Sequence, residues 1–93
     1  MHYVDFKSRE KAVDSMAELG FVAYLNDFLR PAGDLPHGWP ESDVPGVAEP
    51  VAKIDGSGIK VVISDCPIVA EYQNKIIERF GLKATAIDSP SQA

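Results

Sequence analysis

The alternation of hydrophobic and polar residues predicts several short strands. In residues 2–6, HYVDF, Val4 and Phe6 fall on one face, and residues 59–63, IKVVI, alternate in the same way. Residues 21–25, FVAYL, also alternate, although Tyr24, Leu25 and Phe28 would line a short helix equally well. We favour a strand here, and residues 82–87, LKATAI, predict a last one.

Two segments have the period of amphipathic helices. The first follows Ser8, a residue that suits the N-cap, and stops at Gly20. The second has Asp65 or Cys66 as its cap, Pro67 in its first turn and Gly81 at its end. Its apolar stripe is predicted to comprise Ile68, Tyr72, Ile76 and Phe80.

Between the predicted strand at 21–25 and residue 50, prolines recur every four or five residues, at Pro31, Pro36, Pro40, Pro45 and Pro50. Proline lacks an N–H and interrupts both helices and central strands, so we expect a long loop over about residues 30–47. Two strand-like runs follow, and residues 55–58, DGSG, between them have the composition of a hairpin connection.

This order of elements predicts one α+β domain over residues 1–88 and a polar tail at 89–93. The expected architecture is a ferredoxin-like split βαβ sandwich, in which two helices cover one face of a mostly antiparallel sheet. A chain of 93 residues can bury only one modest core.

Charge and composition narrow the function. The net charge of −5 opposes direct binding to phosphate backbones. Residues 59–65, IKVVISD, also lack the aromatic side chains on which an RNA-recognition domain stacks bases. No apolar run is long enough to span a membrane, and a single cysteine excludes an intrachain disulfide framework. We therefore expect a cytoplasmic protein that does not bind nucleic acid directly.

Chemistry-bearing motifs are sparse. Cys66, His2 and His37 lie too far apart for a metal-ligand motif, so no metal or cofactor is expected. The loop contains no nucleophile motif that would make His37 part of a hydrolytic triad. Cys66 at a helix N-terminus could be a reactive thiol, but burial as a small apolar residue is favoured. An enzyme dependent on Cys66 ranks third among the functions considered.

The long loop contains the only tryptophan, and most of the net charge of −5 lies in and just after it. Residues 31–59 contain five acidic residues and one basic residue, a local charge of −4. In one interpretation Trp39 folds back over the sheet; in the other it anchors a protein partner. The second interpretation assigns protein binding to six residues, Asp34, His37, Trp39, Glu41, Asp43 and Glu49.

The leading hypothesis is a non-enzymatic protein-binding module that inhibits a nucleic-acid-handling complex by occupying its basic surface. In size and charge the chain is similar to phage-encoded inhibitors of host machinery, including anti-CRISPR proteins. The similarity is limited to size and charge, and no sequence motif supports it. The alternative is a regulatory module that binds a small ligand and forms a homodimer through sheet pairing.

Overall fold

The computed structural model describes residues 1–25 and 27–82. Along the chain, the elements are β1 (His2–Asp5), α1 (Arg9–Glu18), β2 (Phe21–Tyr24), β3 (Phe28–Pro31), β4 (Ala52–Asp55), β5 (Gly58–Val61) and α2 (Pro67–Arg79). Over these residues the protein is a small α+β structure with a five-stranded antiparallel sheet and two helices, which confirms the predicted class. Neither helix has the length and apolar character needed to cross a membrane.

Helix α1 begins and ends where its local signals predict. The side chain of Ser8 accepts a hydrogen bond from the backbone N–H of Lys11 (3.1 Å), which satisfies one of the free donors of the first turn. At the other end Gly20 has a φ of 92° and donates its N–H to the carbonyl of Ala17 (3.0 Å). This left-handed conformation favours glycine and ends the helix.

The sheet has the strand order β1-β5-β4-β3-β2, with antiparallel pairing throughout. Strands β4 and β5 form the predicted hairpin, because Asp55 pairs with Gly58 across the two-residue turn Gly56–Ser57. Gly56 has a φ of 63° at the first central position, as in a type II′ turn. Strands β1 and β2 are therefore the edges of the described sheet.

The strand β3 was not predicted. Residues 30 and 31 belong to it, so the expected loop over 30–47 is not confirmed in that form. Pro31 is the last residue of β3 and pairs with Phe21 of β2, whereas β4 pairs only with Phe28 and Leu29. Proline is tolerated there because no partner on the β4 side needs its missing N–H.

One cluster of buried residues joins both helices to one face of the sheet. Helix α1 contributes Ala12 and Met16, and helix α2 contributes Val69 and Ile76. The sheet contributes Phe21, Leu29, Ala52, Ile54, Ile59 and Val61. The side chains that alternate with these point to the opposite face, which neither helix covers.

Helix α2 is rotated relative to the predicted stripe. Its buried residues are Val69, Gln73, Ile76 and Ile77, whereas Ile68, Tyr72 and Phe80 are only half-buried. Of the predicted stripe, Ile76 alone is fully in the core. The helix ends as predicted, since Gly81 has a φ of 66° and Leu82 donates its N–H to the carbonyl of Ile77 (2.9 Å).

The ferredoxin-like specification is not confirmed. That motif has two strands between its helices, whereas here β2, β3, β4 and β5 all lie between α1 and α2. The predicted last strand at 82–87, apart from Leu82, lies outside the described residues. The predicted tail at 89–93 also lies outside them.

Candidate functional site

Residues 40–49 of the segment between β3 and β4 form a small hairpin, which we call the acidic hairpin. The N–H of Ser42 donates to the carbonyl of Val47 (2.7 Å), and the N–H of Glu49 donates to the carbonyl of Pro40 (3.0 Å). An isolated antiparallel bridge pairs Glu41 with Ala48. The centre of the predicted binding loop thus has regular backbone pairing.

Side chains stabilise the turn of this hairpin. The carboxylate of Glu41 accepts a hydrogen bond from the N–H of Gly46 (3.2 Å). The hydroxyl of Ser42 accepts from the N–H of Val44 (3.1 Å) and donates to its carbonyl (3.3 Å). Gly46 has a φ of 84°, so glycine is needed at this point of the turn. Glu41 therefore has a structural role as well as an exposed charge.

Two aromatic residues attach the acidic hairpin to the rest of the domain. The indole N–H of Trp39 donates to the carbonyl of Glu49 (2.8 Å), and the hydroxyl of Tyr24 donates to the carbonyl of Ala48 (2.6 Å). The ring of Trp39 packs edge-on against Tyr72 of α2, with 5.4 Å between ring centroids. Burial raises the pKa of Tyr24, while the charge of Arg30 opposes that effect.

Trp39 is accordingly half-buried and packs beside the hydrophobic core. These contacts are the ones expected if the loop folds back onto the domain. They do not test the other interpretation, because part of the ring remains exposed. Its predicted role as a binding anchor stays a prediction.

The tip of the acidic hairpin presents an apolar side chain beside a shallow hollow. Val44 is 57% exposed, and Leu25, at the end of β2, is 58% exposed. Both line a hollow of about 540 Å³, whose other apolar walls are Phe28 and Val47. An exposed valine and leucine on either side of one hollow form a surface that a partner could cover.

Three of the predicted carboxylates surround this hollow. Glu41, Asp43 and Glu49 all line it, with Glu41 and Asp43 exposed and Glu49 half-buried. Asp34 and His37 are exposed but lie outside its lining. The structure therefore brings three of the six predicted residues together around the hollow. Trp39 contacts one of them, Glu49, through its hydrogen bond but does not line the hollow.

Sequence reasoning missed the apolar part of this surface. Leu25 was assigned to a predicted strand, and Val44 lies between Asp43 and Pro45 in a segment notable for its charges. The exposed Val44 could have been suspected from the turn residues Pro45 and Gly46 beside it, since a turn at this point places its neighbours at a tip. Leu25 gives no such local signal.

The remaining candidate chemistry is weakly developed over the described residues. No group of three or more histidine, cysteine, aspartate or glutamate side chains is placed to hold a metal ion within 1–25 and 27–82. Cys66 is half-buried at the N-cap of α2, and its side chain makes no capping hydrogen bond there. The hypothesis of an enzyme dependent on Cys66 stays a prediction.

Comparison of the chain with models of known protein families, with curated proteins and with solved structures finds no match. The fold and the site define a small α+β domain with an acidic hairpin whose tip is apolar.

Proposed function

We propose that this protein is a non-enzymatic interaction module that binds another protein through the acidic hairpin. The observation that supports this most is the exposed Val44 at the tip, adjoining an apolar hollow whose rim holds the carboxylates of Glu41 and Asp43. Protein interfaces typically have such an apolar centre and polar rim.

The attachment of the hairpin favours binding. Ordering a free loop on binding costs conformational entropy, and a loop already held in place avoids much of that cost. Here the bonds from Trp39 and Tyr24 hold the strand of the hairpin that contains Ala48 and Glu49. The tip is presented from a fixed base, so burying Val44 and Leu25 against a partner would contribute directly to affinity.

The charge of the segment favours a basic partner. A local charge of −4 over residues 31–59 would steer the hairpin towards a basic surface and speed association with it. We propose the cytoplasm as the location and a basic surface of a nucleic-acid-handling complex as the target, where carboxylates would occupy positions that phosphates otherwise take. This makes the protein an inhibitor of the phage anti-host or anti-CRISPR type, by analogy of size and charge.

A pull-down from a lysate of the source organism tests this proposal. The decisive variant is Asp43→Lys with Val44→Ser, because neither side chain supports the hairpin as Glu41 and Trp39 do. A matched control, Asp14→Lys with Val22→Ser, changes an exposed acid on α1 and an exposed valine on β2.

The proposal predicts a specific partner that the original and the control variant retain and the hairpin variant loses, with circular dichroism showing that all three are folded. Equal retention by all three would contradict it. That result would favour the alternative, a dimeric module that binds a small ligand. Analytical ultracentrifugation would test for the dimer, and metabolite screening would test for the ligand.

The finer architecture is also a proposal. Helix α1 connects β1 to β2, which run in the same direction at opposite edges of the sheet. This is a βαβ unit split by three strands, and a ferredoxin-like relationship would further require residues 82–87 to form a strand beside β1. Backbone NOEs between those residues and His2–Asp5 would test that placement.

A further inference from the structure

The face of the sheet that neither helix covers holds a row of aromatic and cationic side chains. The strand register places Tyr3 opposite Lys60, Lys60 opposite Lys53, Lys53 opposite Phe28, and Phe28 opposite Tyr24. These five residues, which we call the cross-strand row, come from all five strands. Side chains of directly paired residues lie on the same face of a sheet, and this face is the one opposite the core.

The centre of the cross-strand row is a pair of like charges. Lys53 and Lys60 are directly opposite one another on β4 and β5, an arrangement that destabilises a sheet. Among the described residues neither lysine forms an ion pair with a carboxylate. The amine of Lys53 instead lies 5.9 Å from the centroid of the Phe28 ring. An anion placed between the two lysines would relieve their repulsion.

A third cation lies beside the row. Arg30, two residues beyond Phe28 on β3, is on the same face, and its guanidinium lies 5.4 Å from the centroid of the Tyr24 ring. The carboxylates of this face, Asp5 and Asp55, lie at the turn end of the sheet. The side chain of Asp5 is already engaged by the hydroxyl of Ser57 (2.5 Å).

An open groove lies beside the three middle residues of the row, Phe28, Lys53 and Lys60. Phe28, Lys53, Lys60 and Val62 line this space of about 520 Å³, and the carboxylates of Glu49 and Asp65 also border it. Val62 is 61% exposed. The groove thus combines apolar surface with two lysines that no strand or helix among the described residues covers.

Tyr3 is the aromatic side chain that β1 contributes to this face. Gly58, its neighbour on β5, has no side chain, and a Cβ there would collide with the phenol of Tyr3. The ring therefore extends across Gly58, and its hydroxyl donates to the carbonyl of Asp55 (3.3 Å). Tyr3 remains 47% exposed.

We propose that this face binds a single-stranded nucleic acid, with bases stacked on Tyr3 and Phe28 and phosphates held by Lys53, Lys60 and Arg30. Single-strand binding surfaces combine aromatic platforms with cations that follow the backbone. This reverses the expectation drawn from the net charge and from residues 59–65. The acidic residues of this face lie outside the cross-strand row, Asp5 and Asp55 at the turn end of the sheet and Glu49 and Asp65 beside the groove. The aromatic residues come from β1 and β3. This face adjoins the acidic hairpin, because Phe28 and Glu49 line both the groove and the hollow beside the hairpin.

Fluorescence anisotropy of labelled homopolymers of about eight nucleotides, within the usual size of such sites, tests the proposal. Uridine and thymidine oligomers form separate arms, which distinguish RNA from DNA. For single strands the logarithm of affinity falls by about 0.7 per phosphate contact for each tenfold rise in salt, so three cations predict a slope near about −2.

Two variants separate the contributions. Lys53→Thr with Lys60→Thr should make the slope shallower by about 1.4 and weaken binding, without lowering the melting temperature. Phe28→Leu should weaken binding by about fivefold or more and leave the slope unchanged, since base stacking does not depend on salt. Lys11→Thr with Lys75→Thr, two lysines on the helices, is the charge-matched control and should leave the affinity within about twofold.

Three outcomes would overturn the inference. The first is no change in anisotropy with either oligomer at low salt. The second is equal loss of binding in the row variant and in the helix control, which would indicate non-specific attraction. The third is binding of an oligoglutamate as tightly as the oligonucleotides, unaffected by Phe28→Leu, which would assign the face to an acidic protein.

Discussion

Replacing Gln73 by methionine should strongly destabilise the fold. Gln73 is the only buried polar residue of the described chain, with 1% of its surface exposed. Its side chain accepts a hydrogen bond from the N–H of Ser64 (2.9 Å) and donates to the carbonyls of Val51 (3.1 Å) and Val62 (2.8 Å). These bonds join α2 to the start of β4 and to the segment after β5.

The magnitude follows from those three bonds. Each contributes about 0.5–1.5 kcal/mol net, so their joint loss costs about 1.5–4.5 kcal/mol, with about 3 kcal/mol as the central expectation. Methionine has a similar length and leaves little cavity, which confines the effect to hydrogen bonding. For a domain of this size about 3 kcal/mol lowers the melting temperature by about 12–24 °C.

Urea denaturation followed by circular dichroism measures this loss. The neighbouring exposed residue supplies the control, Asn74→Met, which should change the free energy of unfolding by less than about 0.5 kcal/mol. Gln73→Glu adds a second check, because a carboxylate can accept from Ser64 but cannot donate to either carbonyl, and a protonated carboxyl can donate to only one of them. Its pKa would be raised in the fold, so this variant should be least stable at neutral pH and recover as the pH falls.

A loss below about 0.5 kcal/mol for Gln73→Met, no larger than that of a surface substitution, would contradict a stabilising role for these three bonds. It would mean that the three backbone groups find other partners, and that α2 does not depend on this residue to hold the two segments.

Three further predictions concern the sheet and its connections. Gly58→Ala should cost about 1–3 kcal/mol in urea denaturation, because a Cβ there would lie 2.6 Å from a backbone oxygen of β1; an unchanged midpoint would contradict the close approach. Tyr24→Phe removes the hydrogen bond to the carbonyl of Ala48. It should increase amide hydrogen exchange in residues 40–49 and lower the free energy of unfolding by about 1 kcal/mol. Unaltered exchange would show that the hairpin does not need this bond. The hydroxyl of Ser57 is the main cause that lowers the pKa of Asp5. The contribution of Asp5 to stability is therefore present above its ordinary value of 3.8 and is lost as the pH falls through its lowered pKa. Carbon-detected NMR titration of Ser57→Ala should show the pKa of Asp5 rising, and no rise would exclude that cause.

Local signals predicted the parts of the fold that local contacts determine. Ser8 and Gly20 bound α1, and the turn Gly56–Ser57 closes the hairpin, because capping and turn chemistry involve residues only a few positions apart. The orientation of α2 was not predictable in this way. Gln73 faces the core, where its hydrogen-bond partners are backbone groups at residues 51, 62 and 64. These partners are too far away in sequence for a local pattern to predict them.

The same limit applies to the two candidate surfaces. The charges of the acidic hairpin were evident from the sequence, but its apolar hollow depends on Leu25 approaching residues some twenty positions away. The cross-strand row depends on register, since Tyr3 and Lys60 meet only through the pairing of β1 with β5. Examining residues 59–65 alone for aromatic side chains therefore missed those that neighbouring strands supply.

The proposed role of the acidic hairpin is to contact a protein partner. The most direct measurement places a photo-crosslinking amino acid at Asp43 and, as a control, at Asp14 of α1, and irradiates each protein in a lysate of the source organism. We expect a crosslink to one protein at Asp43 alone, which added salt suppresses and which oligolysine competes away. Equal crosslinking at both positions, or none at Asp43, would contradict it.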